Sequence, residues 1–196
     1  HLYLAIDGQL AAVICIADPL REEAPDVLAA LRRLGIQKAV MLTGDSRRTA
    51  EAVASHIGVD DFCAEVLPED KANYVAALRA QRHTVIMVGD GINDSPALSE
   101  ADAGIAVSDG AAIAQEIADV TIAAESLWEL VRLRQLAMAL NSRIRNIYRF
   151  VLGFNGGLIA LGVAGLLPPS TSATLHNLST LGISLHSMTS LPCNGI

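Results

Sequence analysis

The sequence predicts an α/β fold, in which a parallel sheet carries helices on both faces, followed by a hairpin of two membrane-spanning helices. Short apolar runs alternate with helical segments through the first part of the chain, and Gly- and Asp-rich loops follow those runs. From residue 150 to residue 196 there is no Asp, Glu, Lys or Arg, although the whole chain has a net charge of −7. A charged globular part therefore precedes an uncharged tail.

The first elements surround the turn dipeptide Asp7-Gly8, which predicts a hairpin or two neighbouring strands at 2–6 and 11–17. A helix is predicted over 19–34, where apolar residues recur on one face and Gly35 stands at the stop position. Further strands are predicted at 38–42, 84–88, 103–107 and 120–122, and further helices at 47–57, 70–82 and 111–118. Such alternation predicts a parallel sheet whose chemistry lies in loops beyond the carboxyl ends of its strands.

The C-terminal part begins near Leu127 with a long, arginine-containing helix that continues into the uncharged tail. A helix needs roughly 20 apolar residues to cross a bilayer. Two such spans are predicted, at about 147–167 and 173–191, with Pro168-Pro169 between them. Residues 1–124 are therefore expected to form one domain, and residues 125–196 a cytoplasmic helix leading into both spans. The alternative is a buried helical hairpin of a soluble protein, in which so long a stretch without charge is rare.

The distribution of charge predicts how the chain is oriented in the membrane and argues against a nucleic-acid partner. Arginines precede the first span, so residues 1–145 and the C-terminus are expected on the cytoplasmic side of a multi-pass protein of the cell membrane. Arg132, Arg134, Arg143 and Arg145 precede the span, and Arg149 lies at its start. A pI near 5.1 argues against binding of nucleic acid. The three scattered cysteines predict neither a disulfide framework nor a zinc knuckle.

Three loops supply groups that a phosphoryl-transfer site needs. Thr43-Gly44-Asp45 offers a hydroxyl and backbone N–H groups where a strand ends and a helix starts, a position that favours anions. Lys71, near a helix start, can act as a point cation for phosphate oxygens. Asp90, Asn93 and Asp94 lie on a Gly-rich turn and offer the hard oxygen ligands that Mg²⁺ takes. Each group alone is common in ordinary turns; their order on successive strand–helix units indicates a site.

Three motifs resemble the phosphorylation domain of P-type ATPases, a Rossmann-type domain of haloacid-dehalogenase fold: Met41-Leu42-Thr43-Gly44-Asp45, Pro68-Glu69-Asp70-Lys71 and Met87-Val88-Gly89-Asp90-Gly91-Ile92-Asn93-Asp94. The resemblance implies that Thr43 contacts the phosphoryl group and that Lys71 neutralises its charge. It also implies that Asp90 ligates Mg²⁺, that Asn93 and Asp94 support the metal, and that ATP is the substrate.

A further segment, Asp18-Pro19-Leu20-Arg21, is similar to the hinge where the family's nucleotide-binding domain rejoins the phosphorylation domain. The same residues fit a helix N-terminus with Pro in its first turn equally well. The family's Asp-Lys-Thr-Gly-Thr nucleophile motif does not occur in this sequence, and the first residue is not Met. These features predict a fragment that is inactive without the remainder of the pump: the nucleotide-binding domain, the actuator domain and earlier membrane helices. The alternatives are a soluble phosphatase of the same fold and a non-catalytic Mg²⁺-binding fragment.

The two predicted spans resemble the last two helices of the heavy-metal, or type IB, branch of these pumps. Polar residues of those helices form the ion site in that branch, and the matching residues in this sequence are Asn155, His176, Asn177, Ser179 and Thr180. His176, Ser179 and Thr180 share one helical face, and a polar stripe inside a bilayer usually lines a site or pathway. The alternative for the hydroxyls is a bond to backbone carbonyls that helps helices to pack.

The transported ion is expected to be a transition metal of the Zn, Co, Fe, Mn, Cd or Cu class. The Met and Tyr of copper pumps are missing from this sequence, and an imidazole with oxygen partners suits a borderline divalent ion. The Glu of cobalt-type pumps is replaced by Asn177. No single metal is therefore assigned from the sequence.

Overall fold

The computed structural model describes residues 2–14, 19–90, 93–107, 116–123 and 125–191. The chain divides into two compact units, His1–Trp128 and Glu129–Ile196. The first unit contains every described strand, and the second contains most of a long helix and the helix that follows it.

The chain opens with an antiparallel hairpin of β1 (Leu2–Ile6) and β2 (Gln9–Ile14). Its two-residue turn has positive φ at Asp7 (50°) and Gly8 (79°), the pattern of the turns that match strand twist in tight hairpins. This turn pairs Ile6 with Gln9, so β2 begins two positions before the predicted residue 11. The hairpin is confirmed, and the end of the predicted second strand lies outside the described residues.

The first helix, α1 (Ala24–Arg33), begins later than the predicted residue 19. Pro25 lies in its first turn, the only part of a helix where the missing N–H and the ring of proline are tolerated. The prediction of helix over 19–23 is wrong for this reason. The helix ends as predicted before Gly35, whose φ is 92°, and it buries Val27 and Ala30.

The next unit consists of β3 (Val40–Leu42), α2 (Arg47–Ile57) and β4 (Asp61–Cys63), with β3 and β4 parallel. The bounds of α2 match the prediction because local signals fix both ends. Ser46 accepts a hydrogen bond from the Thr49 N–H at the start, and Gly58 takes a left-handed conformation at the end. Strand β4 was not predicted, because its residues Asp61-Phe62-Cys63 form neither an apolar nor a β-branched run.

A second parallel sheet follows, with strand order β5–β6–β7. Its elements, in chain order, are α3 (Pro68–Ala80), β5 (Ile86–Gly89), α4 (Ser95–Glu100), β6 (Ala103–Val107) and β7 (Val120–Ile122). Strands β6 and β7 match the prediction to the residue. Helix α3 begins at Pro68 rather than at residue 70, because proline suits the first helical position. Most of the predicted helix 111–118 lies outside the described residues.

The core of this second sheet is small and well defined. Val75, Met87, Ala97 and Leu98 form one buried cluster, which packs α3 and α4 against β5. Gly104 in β6 is required there, because a Cβ at this position would lie 2.6 Å from the Leu98 carbonyl oxygen. The lack of a side chain at Gly104 therefore allows α4 to pack closely against β6.

The parallel arrangement is confirmed, but the expected single sheet is divided in two. Among the described strands, β3 pairs only with β4, and β5 pairs only with β6. Each of β3 and β5 therefore keeps one edge without a described strand partner. The loops that follow β3 and β5 are those with the predicted site residues.

The second unit is a helical hairpin of α5 (Trp128–Val163) and α6 (Pro169–Ser187). By length and composition α5 could cross a membrane, and it is the one described helix that meets that standard. It ends before the predicted residue 167 because Gly165, with φ of 72°, reverses the chain there. Helix α6 starts before the predicted residue 173 because Pro169 occupies its first position.

Candidate functional site

The Thr43 loop begins directly after β3 and is closed by its own hydrogen bonds. The Thr43 hydroxyl donates to Asp45 Oδ2 at 2.9 Å, and the Asp45 N–H donates to the same hydroxyl oxygen at 3.1 Å. The Thr43 backbone N–H donates to the Cys63 carbonyl, and its carbonyl accepts from the Val66 N–H. Thr43, Gly44 and Asp45 therefore form a fixed turn attached to the segment that leads into α3.

The second predicted loop follows β5 in the same way. Asp90 is exposed, and its Oδ1 accepts a hydrogen bond from the Asn93 N–H at 3.3 Å. Asn93 is also exposed, whereas Asp94 is partly buried at the start of α4. The loop thus presents one carboxylate, Asp90, to solvent and turns the other, Asp94, towards the protein.

The structure brings Lys71 and Asp94 together directly. Lys71 Nζ donates to Asp94 Oδ1 at 2.7 Å, and each side chain is only 14% exposed. Lys71 lies in the first turn of α3, and Asp94 immediately precedes α4. Low exposure makes such a charge-assisted bond stronger than a surface ion pair, because less water screens it. Lys71 is therefore anchored by the loop that also contains Asp90.

Gly89 is the reason that Asp94 can reach this position. A Cβ on Gly89 would lie 2.5 Å from Asp94 Oδ2 and 2.7 Å from Asp94 Cβ. Real Cβ atoms do not approach so closely, so any other residue at position 89 would displace the Asp94 side chain. Gly89, the first Gly of the Gly-Asp-Gly motif, thus leaves the space that the Asp94 carboxylate occupies.

The chemistry of this loop fits a magnesium ion. Among the described residues no three His, Cys, Asp or Glu side chains cluster as a protein metal cage does. Mg²⁺ does not require such a cage, because it commonly binds one or two carboxylates together with waters and phosphate oxygens. The exposed Asp90 carboxylate at the carboxyl end of β5 meets that requirement, while one oxygen of Asp94 is occupied by Lys71.

The predicted hinge is only partly visible, because Asp18 lies outside the described residues. Arg21 Nη1 is 3.9 Å from Glu23 Oε1, a loose contact with an exposed side chain. Glu23 itself has a clearer role that the sequence did not reveal: its carboxylate accepts from the Leu127 N–H at 2.6 Å and from the Ser126 hydroxyl at 2.9 Å. The Ser126 oxygen in turn accepts from the Trp128 N–H, so Glu23 stabilises the start of α5.

In the helical hairpin, the structure joins two of the predicted metal-site residues across the helices. His176 Nδ1 on α6 lies 3.0 Å from Asn155 Oδ1 on α5. Both side chains belong to the segments expected inside the bilayer. An imidazole in such a place requires a polar partner, and Asn155 is that partner.

The predicted hydroxyls bond within their own helix. Ser179 donates to the His176 carbonyl at 2.8 Å, and Thr180 donates to the same oxygen at 3.0 Å. Both residues therefore make the hydroxyl-to-carbonyl bonds that are the alternative to a metal-site role. Each hydroxyl oxygen still has lone pairs that could accept a further bond. Asn177 is exposed on α6.

The hairpin is also joined at its other end by a residue that the sequence identified only as a positive charge. Arg143 on α5 donates from Nη1 to the Thr189 carbonyl at 2.6 Å and from Nη2 to the Ser190 carbonyl at 3.0 Å. These carbonyls follow α6 and lack helical donors. No local pattern could have shown this bond, because its partners are 46 and 47 positions away.

Comparison with known proteins identifies the class of this fold and site. A family model described as hydrolase, haloacid dehalogenase-like hydrolase, matches residues 2–102, just over half of the chain. The chain therefore belongs to the haloacid dehalogenase-like hydrolase family. This agrees with the parallel strands and with the Thr43 and Asp90 loops at their carboxyl ends.

More particular similarities extend through the helical hairpin. The chain is 42% identical over 183 residues, 93% of its length and 25% of the relative, to a manganese-exporting P-type ATPase of Mycobacterium leprae. It is 46% identical over 171 residues, 86% of its length and 20% of the relative, to a silver exporting P-type ATPase of Salmonella typhimurium. The crystal structure of a zinc-transporting PIB-type ATPase in the E2.Pi state matches with a TM-score of 0.83 and 32% identity, over 95% of this chain and 30% of that one.

The expected resemblance to heavy-metal P-type ATPases is thus confirmed. The chain spans only 25% and 20% of the lengths of these two relatives. The relatives carry the names of different metals, so the similarity does not identify the ion.

Proposed function

We propose that this chain is part of an ATP-driven pump that exports a transition-metal cation across a membrane through an aspartyl-phosphate intermediate. The observation that best supports the hydrolytic half of the proposal is the Lys71–Asp94 pair, 2.7 Å apart and largely shielded from solvent, whose Asp94 belongs to the same segment between β5 and α4 as the exposed Asp90. A fixed cation held by the segment that carries a magnesium-binding carboxylate provides the electrostatic stabilisation that phosphoryl transfer needs.

Each loop has a separate task in this mechanism. The Thr43 turn binds the phosphoryl group at the start of α2, where the helix dipole favours anions, and the Thr43 hydroxyl then exchanges its bond to Asp45 Oδ2 for a phosphoryl oxygen. Lys71 neutralises negative charge on the transferred group, and Asp94 fixes the direction of its ammonium. Asp90 would hold Mg²⁺, with its Oδ1 positioned by the hydrogen bond that it accepts from the Asn93 N–H. Mg²⁺, when bound, offsets phosphate charge and orients the phosphoryl group.

The nucleophile is expected from the remainder of the pump, since the 196 residues of this chain contain no Asp-Lys-Thr-Gly-Thr motif. In the proposed cycle an Asp carboxylate attacks the γ-phosphorus of ATP, ADP leaves, and water later cleaves the acyl phosphate to release inorganic phosphate. Thr43, Lys71 and Asp90 supply electrostatics and positioning rather than the covalent step. The chain alone is therefore expected to give no steady ATP hydrolysis.

The transport half of the proposal is based on the hairpin. We place α6 and the part of α5 that follows residue 146 across the bilayer, with residues 1–145 and the C-terminus on the cytoplasmic side, because arginines including Arg143 precede the uncharged segment. The transported ion binds near His176 and Asn155. Imidazole nitrogen with neutral oxygens favours a borderline divalent cation, such as Zn²⁺ or Mn²⁺, over a soft monovalent one.

The test is Asp90→Asn in the full-length pump, with acid-stable phosphoenzyme from radiolabelled ATP as the measurement. Loss of a magnesium-ligating charge should reduce phosphoenzyme formation by at least about a hundredfold. Asp26→Asn, an exposed carboxylate in the first turn of α1, is the matched control and should leave the level unchanged. A normal phosphoenzyme level in Asp90→Asn would reject the magnesium assignment, and wild-type ATPase activity that no transition metal stimulates would reject the pump.

A further inference from the structure

The contact between Asn155 and His176 determines which imidazole nitrogen is free. Asn155 presents its carbonyl oxygen, Oδ1, to His176 Nδ1 at 3.0 Å. A carbonyl oxygen only accepts hydrogen bonds, so Nδ1 must be the protonated nitrogen of the ring. In the neutral imidazole this leaves the lone pair on Nε2, the atom that a metal ion would bind.

We propose that Asn155 is a positioning residue for the transported metal: it fixes the tautomer and the ring orientation of His176 and does not itself bind the ion. The inference is based on the proposed pump function and adds a division of roles between the two side chains. A hydrogen bond from the second ring nitrogen to an oxygen acceptor is the usual means by which proteins orient a histidine ligand. In this hairpin the acceptor comes from the opposite helix, so the ligand geometry depends on how α5 and α6 pack.

Four hydroxyls of α6 are already bonded within the helix and do not compete for this role. Thr174 donates to the Ser170 carbonyl, Ser179 and Thr180 to the His176 carbonyl, and Ser184 to the Thr180 carbonyl. All of these bonds stay within the helix. The bond between Asn155 and His176, by contrast, joins a side chain of α5 to a side chain of α6.

The same bonds leave two neutral hydroxyl oxygens one turn after His176 on α6. Ser179 and Thr180 donate their hydroxyl protons to a carbonyl, so only the lone pairs of their oxygens are available to a cation. They lie three and four positions after His176, on the same face of α6. The geometry therefore gives one nitrogen ligand and nearby oxygens, with Asn155 behind the imidazole.

The experiment uses the full-length pump, with Zn²⁺ as the probe and its Kd measured by equilibrium dialysis without ATP. Asn155→Leu removes the acceptor at similar size, and Asn155→Asp keeps an oxygen acceptor. We expect Asn155→Leu to raise the Kd about 10–100-fold, as loss of such a supporting hydrogen bond commonly does. Asn155→Asp should stay within a few-fold of wild type. Ser184→Ala, which removes a hydroxyl bonded within its own helix, is the polar-to-apolar control and should leave the Kd unchanged.

A double variant separates positioning from direct ligation. If Asn155 acts through His176, then Asn155→Leu combined with His176→Ala should bind Zn²⁺ no more weakly than His176→Ala alone. X-ray absorption at the zinc edge should show imidazole scattering in wild type that is lost in His176→Ala and altered in Asn155→Leu. Phosphorylation by inorganic phosphate, which does not need the bound metal, verifies that each variant is folded.

Two results would overturn the positioning role while leaving the pump intact: an unchanged Kd in Asn155→Leu, or a further loss of affinity when that change is added to His176→Ala. Full affinity in His176→Ala would overturn the positioning role together with this metal site. Failure of the pump itself has a different signature, because wild-type protein would then show no metal-stimulated ATPase activity.

Discussion

Lys71 and Asp94 form a partly buried ion pair, with Nζ 2.7 Å from Oδ1 and 14% exposure on each side chain. The two residues are 23 positions apart, at the starts of two different helices, α3 and α4. A charge with so little solvent is stabilised mainly by its partner, so removal of either residue affects the other. The direction of the Lys71 ammonium therefore depends on the loop that contains Asp90.

This dependence predicts non-additive kinetics in the full-length pump. Lys71→Ala and Asp94→Ala should each lower phosphoenzyme formation from ATP by at least about tenfold, because both remove a correctly placed cation. The double variant should be no worse than the more defective single variant, since the two residues act as one unit. Acid-stable phosphoenzyme measured in all four proteins is the test. Losses that multiply would show that Asp94 contributes separately, for example as a direct magnesium ligand.

Gly89→Ala should disturb the same pair without touching either charged residue. Its Cβ would lie 2.5 Å from Asp94 Oδ2, so Asp94 must move and Lys71 loses its partner. Phosphoenzyme formation should fall by about the same factor as in Asp94→Ala. Gly104→Ala is the matched comparison, because its Cβ would meet the Leu98 carbonyl at 2.6 Å instead. That variant should lower thermal stability while the folded fraction keeps its phosphorylation rate; equal phosphorylation defects in both variants would contradict the role given to Gly89.

Glu23→Ala should destabilise the start of α5. The substitution removes a carboxylate that accepts from the Leu127 N–H at 2.6 Å and from the Ser126 hydroxyl at 2.9 Å. Hydrogen bonds to a partly buried charged group contribute about 1–3 kcal/mol, so the Tm of the detergent-solubilised protein should fall by several degrees. Glu22→Ala changes the neighbouring, exposed glutamate and should leave the Tm nearly unchanged. Equal shifts in the two variants would show that Glu23 acts only through surface charge.

The acid stability of the first unit should depend on Asp60. A hydrogen bond from the Ala39 N–H, followed by one from the Arg32 guanidinium, holds the pKa of Asp60 below its usual range. A carboxylate whose pKa is lowered by folding stabilises the protein above its unfolded pKa of about 3.9, and the contribution is lost as the pH falls through the folded pKa. Asp60→Asn should therefore lower the Tm at neutral pH, and the difference from wild type should shrink below about pH 4. A difference that stays constant through that range would contradict the assignment.

Several parts of the fold were predictable because the signals for them are local. Helix α2 has Ser46 at its start and Gly58 at its end, and both bounds matched. The larger errors in the predicted helix bounds are at the starts of α1 and α6. Both helices have proline in the first turn, because proline is not tolerated in a helix interior. Strand β4 has only three residues and exists because it pairs with β3, a contact that no short pattern contains.

The sequence by itself determined the order of the loops, the residue types in them and the uncharged character of the C-terminal tail. These properties follow from turn chemistry, helix caps and hydropathy, which act between residues a few positions apart. Only the tertiary structure decided that Asp94 pairs with Lys71 and that Asn155 faces His176, pairs separated by 23 and 21 positions. Which polar groups meet over such distances depends on how helices pack, and packing is the outcome of many weak contacts rather than of any one motif.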